Sequence, residues 1–89
     1  MPEITLTIDH PVGLHARPAS AFVKLASTFQ SDITVRHGDR TANAKSILNV
    51  LTLGANQGAQ IVIQADGTDA EEALKALEAL VESNFGEES

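Results

Sequence analysis

The chain contains no cysteine, no tryptophan and no tyrosine, and three phenylalanines are its only aromatic residues. Without cysteine there can be no disulfide, thiolate zinc site, redox pair or thiol nucleophile. Lysine and arginine number six against twelve aspartates and glutamates. That balance, without aromatic platforms or a clustered basic run, argues against a nucleic-acid surface. No apolar run approaches the length of a membrane span, so no membrane insertion is expected. The start, "MPEITLTIDH", lacks the basic residues and long apolar segment of a secretory signal, which with the missing cysteine points to the cytoplasm. Prolines number only three, and 43% of the 89 residues are hydrophobic, the composition of a folded domain. A chain of this size buries a modest core and is not expected to enclose a deep pocket. What chemistry there is falls to histidine, serine, carboxylates and backbone amides.

The net charge of -6 is unevenly placed. From Asp69 onward seven acids face Lys75 alone, whereas the first 68 residues balance five acids with five bases. An acidic partner could therefore be met only locally, through residues such as Arg17, Lys24 and Lys45.

Hydrophobic periodicity sets out seven elements. "EITLTID" alternates Ile4, Leu6 and Ile8 against Thr5 and Thr7, a strand with one buried face. From Ala16 onward, Ala19, Phe22, Val23, Ala26 and Phe29 recur at helical spacing, which predicts about three turns of helix. "SDITVRH" and "RTANA" read as strands joined by a two-residue turn at Gly38 and Asp39. Ser46 opens a short apolar helix that Gly54 closes. "QIVIQAD" is a fourth strand, and Thr68 with Glu71 supplies a capping pattern for a last helix bearing Ala73, Leu74, Leu77, Leu80 and Val81. The order β-α-β-β-α-β-α, with one apolar face per element, predicts an α+β sandwich of two layers, helices on one side of a single sheet. Residues 1–89 are expected to form one domain without repeat or linker, with Gly86 to Ser89 as a frayed tail.

"GLHARPAS", residues 13 to 20, carries the candidate chemistry. His15 admits three readings. It can be a helix cap or surface residue. As a metal ligand it lacks partners, because His10 and His37 do not share a helix face with it and no cysteine is available. As a nucleophile, neutral imidazole offers a free nitrogen lone pair near neutral pH and can accept a phosphoryl group. The dianionic product then needs positive electrostatics, which free N–H groups at a helix N-terminus provide. Pro18 suits a first helical turn, so the helix starts at Ala16 or at Pro18, and His15 lies within a turn of that start in either register. Arg17 can clamp phosphate oxygens with its fork of donors, or sit solvated on the surface. Gly13 can let the backbone turn sharply ahead of the histidine.

With "GLHARPA", "AKSILNVLTLGA" and "GAQIVIQADGTDAEEALKAL", the chain resembles the HPr family, the histidine-containing phosphocarriers of the bacterial phosphoenolpyruvate-dependent sugar phosphotransferase system. The resemblance covers nearly the whole chain. It implies an open-faced, four-stranded antiparallel sheet with three helices on one side. By the same resemblance, His15 is phosphorylated on Nδ1 by phospho-enzyme I, with phosphoenolpyruvate as the source. The group then passes to a histidine of an enzyme IIA component of a sugar permease. Arg17 is the phosphate-neutralising partner, and the amides of Ala16 and Arg17 bind the phosphate. Such a protein is a carrier with a phosphohistidine intermediate rather than a free-standing enzyme. It is expected to act as a monomer, without metal or cofactor.

Ser46 reads first as an N-cap. In the resembled family this serine is also the target of a dedicated HPr serine kinase in many Gram-positive bacteria. A phosphate there would be compatible with a helix start and would repel acidic partner surfaces. The apolar residues that follow exceed what one face of a short helix can bury. Ile47, Leu48 and Leu51 are therefore candidates for a partner-docking patch, Ile47 expected to be the most exposed and Leu48 next, with Lys24 and Lys45 on its rim. Asn49 and Ser27 stand where some family members carry a basic residue, and Val12 replaces a polar one. Two alternatives share the chemistry or the fold. One is a regulatory module acting through Ser46 and a transcriptional partner, against which the retained His15 argues. The other is a carrier in a nitrogen-related phosphotransfer chain.

Overall fold

Alternation in the sequence becomes a sheet with one wet and one buried face. In the computed structural model, which describes residues 2–8, 16–54 and 58–83, the elements run β1 (Glu3–Thr7), α1 (Ala16–Ala26), β2 (Asp32–His37), β3 (Arg40–Asn43), α2 (Ile47–Leu51), β4 (Gln60–Asp66) and α3 (Ala70–Glu82). The strands form one sheet in the order β1-β4-β2-β3, every neighbouring pair antiparallel. Register sets Leu6 opposite Ile61, and Val35 opposite both Ile63 and Ala42, so the branched side chains of the inner face meet across the strands. Beyond β1 the pairing continues, since Ile8 donates its N–H to Ala59 at 2.8 Å and Gly58 donates to Ile8 at 2.7 Å.

All three helices contribute to the core that covers this inner face. Ala19, Phe22 and Ala26 of α1, Val50 of α2 and Ala73, Leu74, Leu77 and Val81 of α3 join Ile33, Val35, Ile61, Ile63 and Ala65 of the strands. The other face of the sheet carries Thr5, Thr34 and Gln64, at most half-buried. This is the two-layer α+β sandwich expected from the sequence.

Two local details differ from that expectation. The helix after the "GLHARPAS" motif ends at Ala26, and Phe29 lies past its end, half-buried against the core. The Thr28 hydroxyl takes up the Leu25 carbonyl at 2.7 Å, and the Phe29 N–H reaches back only three residues, to Ala26, which tightens the chain out of the α-helix. At α3 the capping pattern of Thr68 and Glu71 is not used. Asp69 occupies the N-cap position, and its side chain makes no bond to its own helix. Its carboxylate instead accepts the N–H of Gln30 at 2.8 Å, the N–H of Ser31 at 2.9 Å and the Ser31 hydroxyl. Those bonds, the Ser31 hydroxyl foremost, hold the Asp69 carboxyl below its ordinary pKa. Gly67 makes the clamp possible: a Cβ there would lie 2.7 Å from the Ser31 Cα. The tail from Gly86 to Ser89 falls outside the described residues.

Candidate phosphotransfer site

α1 starts at Ala16, the earlier of the two registers that Pro18 allowed, so Arg17 and Pro18 both lie in its first turn. Pro18 is buried, and its missing N–H costs nothing at this position. The first amides of any α-helix lack intrahelical acceptors, and here no acidic side chain stands among them. Arg17 is exposed. The helix start is thus electropositive, from its oriented N–H groups and an arginine together. His15, which precedes Ala16 in the sequence, lies outside the described residues, as do His10, Val12 and Gly13.

Ser46 caps α2 from an extended backbone conformation (φ -120°, ψ 114°). Its hydroxyl oxygen accepts the Asn49 backbone N–H at 3.4 Å and the Asn49 side-chain amide at 2.8 Å. Asn49 thus supplies both donors to the serine oxygen, a role not anticipated for a position where some family members carry a basic residue. The docking candidates divide by face. Ile47 and Val50, three apart, turn inward: Val50 is buried and Ile47 is half-buried against the core. Leu48 and Leu51, also three apart, turn outward and are 74% and 37% exposed, the large apolar residues in the open among those described. Leu48, not Ile47, is therefore the most exposed member. The two interleaved spacings of three were visible in the sequence, but only the position of the core showed which pair it takes.

Of the expected rim, Lys24 is exposed on α1. Lys45 is half-buried, with Nζ donating to the Phe29 carbonyl at 2.8 Å and its backbone N–H to the Asn43 side chain at 2.9 Å. Its ammonium is engaged in holding the entry to α2 beside the end of α1. α1 itself packs against α2, the helix that bears the outward leucines. No group of three or more metal-ligating side chains occurs among the described residues. Nor is any helix among them long and apolar enough to cross a membrane.

A family model described as the PTS HPr component phosphorylation site matches residues 2–83. The chain belongs to the HPr family. Among HPr relatives it is 46% identical, over 86% of either chain, to the phosphocarrier protein HPr of Mycoplasma capricolum. Its fold matches the crystal structure of HPr-C-His from Thermoanaerobacter tengcongensis over the whole of both chains, at a TM-score of 0.95 and 49% identity. An HPr dimer from the same organism, covering 98% of this chain and 100% of that one, matches at a TM-score of 0.79 and 49% identity. The four-stranded sheet with its three helices is thus the HPr fold. With HPr membership come a general phosphocarrier role in the phosphotransferase system, the sugar transport which that system serves, and partners drawn from its proteins.

Proposed function

We propose that His15 is the phosphoryl acceptor of this HPr. In this reading the P–N bond of phospho-enzyme I breaks as a bond to Nδ1 of His15 forms. The group then leaves to a histidine of an enzyme IIA component, and His15 returns as neutral imidazole. The observation that supports this most is the start of α1 at Ala16: its first turn carries no acidic residue, and Arg17 is exposed there. An oriented N–H pair from Ala16 and Arg17, with the guanidinium of Arg17, suits three phosphoryl oxygens and lowers the cost of gathering two negative charges at an exposed site. Leu48 and Leu51, with Lys24 exposed on α1 and Ile47 half-buried against the core, form the docking face for both partners in this reading. The transfer takes place in the cytoplasm. We take the acting species as the monomer, and the dimer of the Thermoanaerobacter relative makes sedimentation of the pure chain the measurement that checks it.

Incubation with phosphoenolpyruvate and enzyme I tests the assignment. The label should be lost in acid and survive base, as a phosphoramidate does, and His15→Ala should accept none. An acid-labile label on His15→Ala would overturn it.

Ser46 supports a second, regulatory reading. Its oxygen lies at the start of the helix that bears Leu48, so phosphorylation by an HPr kinase would add charge directly to the docking face. Structural relatives include the catabolite repression HPr of Bacillus subtilis, Crh, at 36% identity. An acid-stable ester on Ser46, formed by such a kinase and slowing transfer from enzyme I, is the expected result.

A further inference from the structure

α2 is five residues long, far below the roughly 12–15 at which an isolated helix becomes even marginal in water. It must be held from outside. Ser46 and Lys45 serve its entry, and Val50 anchors it to the core. Its exit is held by two side chains from elsewhere in the chain. His37 Nδ1 lies 2.9 Å from the carbonyl oxygen of Leu53, and Arg40 Nη1 donates to the carbonyl of Thr52 at 2.8 Å. A carbonyl can only accept, so the His37 ring carries its proton on Nδ1. These carbonyls belong to the residues just past α2, where helix carbonyls are left without amide partners and the helix dipole favours donors and cations.

The two donors are not independent. His37 ends β2 and Arg40 begins β3; they face each other across the Gly38–Asp39 turn as the last pair of the ladder. The hairpin therefore presents them as a unit, and His37 is half-buried there. Leu51 directly precedes the two bonded carbonyls, and Leu48 stands one turn before it. A shift of this end of α2 would move both outward leucines.

We propose that His37 and Arg40 are positioning residues for phosphotransfer: the β2–β3 turn straps the C-terminal end of α2 and thereby sets the pose of Leu48 and Leu51 toward the partner protein. This rests on the reading of α2 as the docking face. Neither residue touches the phosphoryl group in this account, so their effect falls on partner affinity and not on the chemical step.

The test is steady-state transfer from enzyme I with the intact chain as varied substrate, combined with amide hydrogen exchange. His37→Phe keeps the ring and removes the donor. It should raise KM about fivefold, the value of one lost hydrogen bond, at unchanged kcat. The amides of Thr52 and Leu53 should exchange faster, while that of Ile63 in the middle of the sheet keeps its rate. His37→Asn, whose side-chain amide reproduces a donor at the Nδ1 position, should restore both readouts. Arg40→Met, at an exposed position that the fold tolerates, should act as His37→Phe does, and Arg40→Lys should recover part of the loss. Parent KM in both His37→Phe and Arg40→Met overturns the strap, as does a His37→Asn variant as impaired as His37→Phe. Leu48→Ser separates the two levels. If it leaves KM unchanged, the docking reading itself falls and takes the strap with it; if it raises KM while His37→Phe does not, only the strap falls.

Discussion

α1 and α2 lie against each other and are held by different means. α1 has 11 residues, with four fully buried side chains, the first-turn proline Pro18 together with Ala19, Phe22 and Ala26, on one face. Its own pattern and its burial agree on which way it faces. α2 has five residues, one of them buried, and is fastened at its entry by Ser46 and Lys45 and at its exit by His37 and Arg40. The proposed phosphate-binding end thus belongs to a helix that hydrophobic burial fixes, and the proposed docking leucines to one that hydrogen bonds from neighbouring segments fix. The first is costly to disturb and the second is adjustable, which suits a carrier that offers the same acceptor to different partners.

The contrast can be broken at its strongest point. Phe22→Ala should cost about 3–5 kcal/mol and lower the urea midpoint of the whole fold, because it empties a fully buried position of the core. Gly67→Ala attacks the clamp that fixes the chain leaving α1. The new methyl would meet the Ser31 backbone, and the expected loss is about 1–3 kcal/mol in the same melt. On α2 the changes are smaller. Ser46→Ala should cost about 1 kcal/mol as a lost cap, while Ser46→Asp, itself a good cap, should restore most of that stability and still slow transfer from enzyme I. A Ser46→Asp variant that transfers at the parent rate would count against the regulatory reading. Leu48→Ser should change stability by less than about 0.5 kcal/mol, since the side chain is mostly in water. Its effect should appear in KM alone.

The clamp of α3 on the exit of α1 gives a pH signature that α2 lacks. Asp69 is held below its ordinary pKa in the folded chain, so folding favours its ionised form. The stabilisation is complete above the unfolded value, about 3.9, and is lost as the pH falls through the lowered folded value. Urea midpoints at pH 5, 3 and 2 should fall more steeply for the parent than for Asp69→Asn, which is the less stable of the two at neutral pH. Equal slopes would remove the carboxylate from the clamp.

Much of this was legible beforehand because it is repetitive. The four strands and three helices follow from alternation at two and at three to four residues, signals summed over many positions. The span of β4, the turn at Gly38 and Asp39, the cap at Ser46 and the left-handed Gly54 (φ +64°) were all read from residue type. The errors fell where a single side chain had two possible partners. Asp69 read only as the first of the seven acids of the C-terminal segment, and Thr68 as the cap. The carboxylate was instead taken by Gln30 and Ser31, 39 and 38 residues away. His37 was weighed only as a partner for a metal, because nothing in its neighbourhood names Leu53.

By itself, the sequence determined the two-layer architecture, the family and the electropositive start of α1, since each depends on periodicity, on a dense motif or on the residue types of one turn. The tertiary structure decided which leucines face outward, which cap α3 forgoes and what holds α2 in place. A five-residue helix has too few internal hydrogen bonds to settle its own pose, so those choices passed to residues that only folding brings beside it.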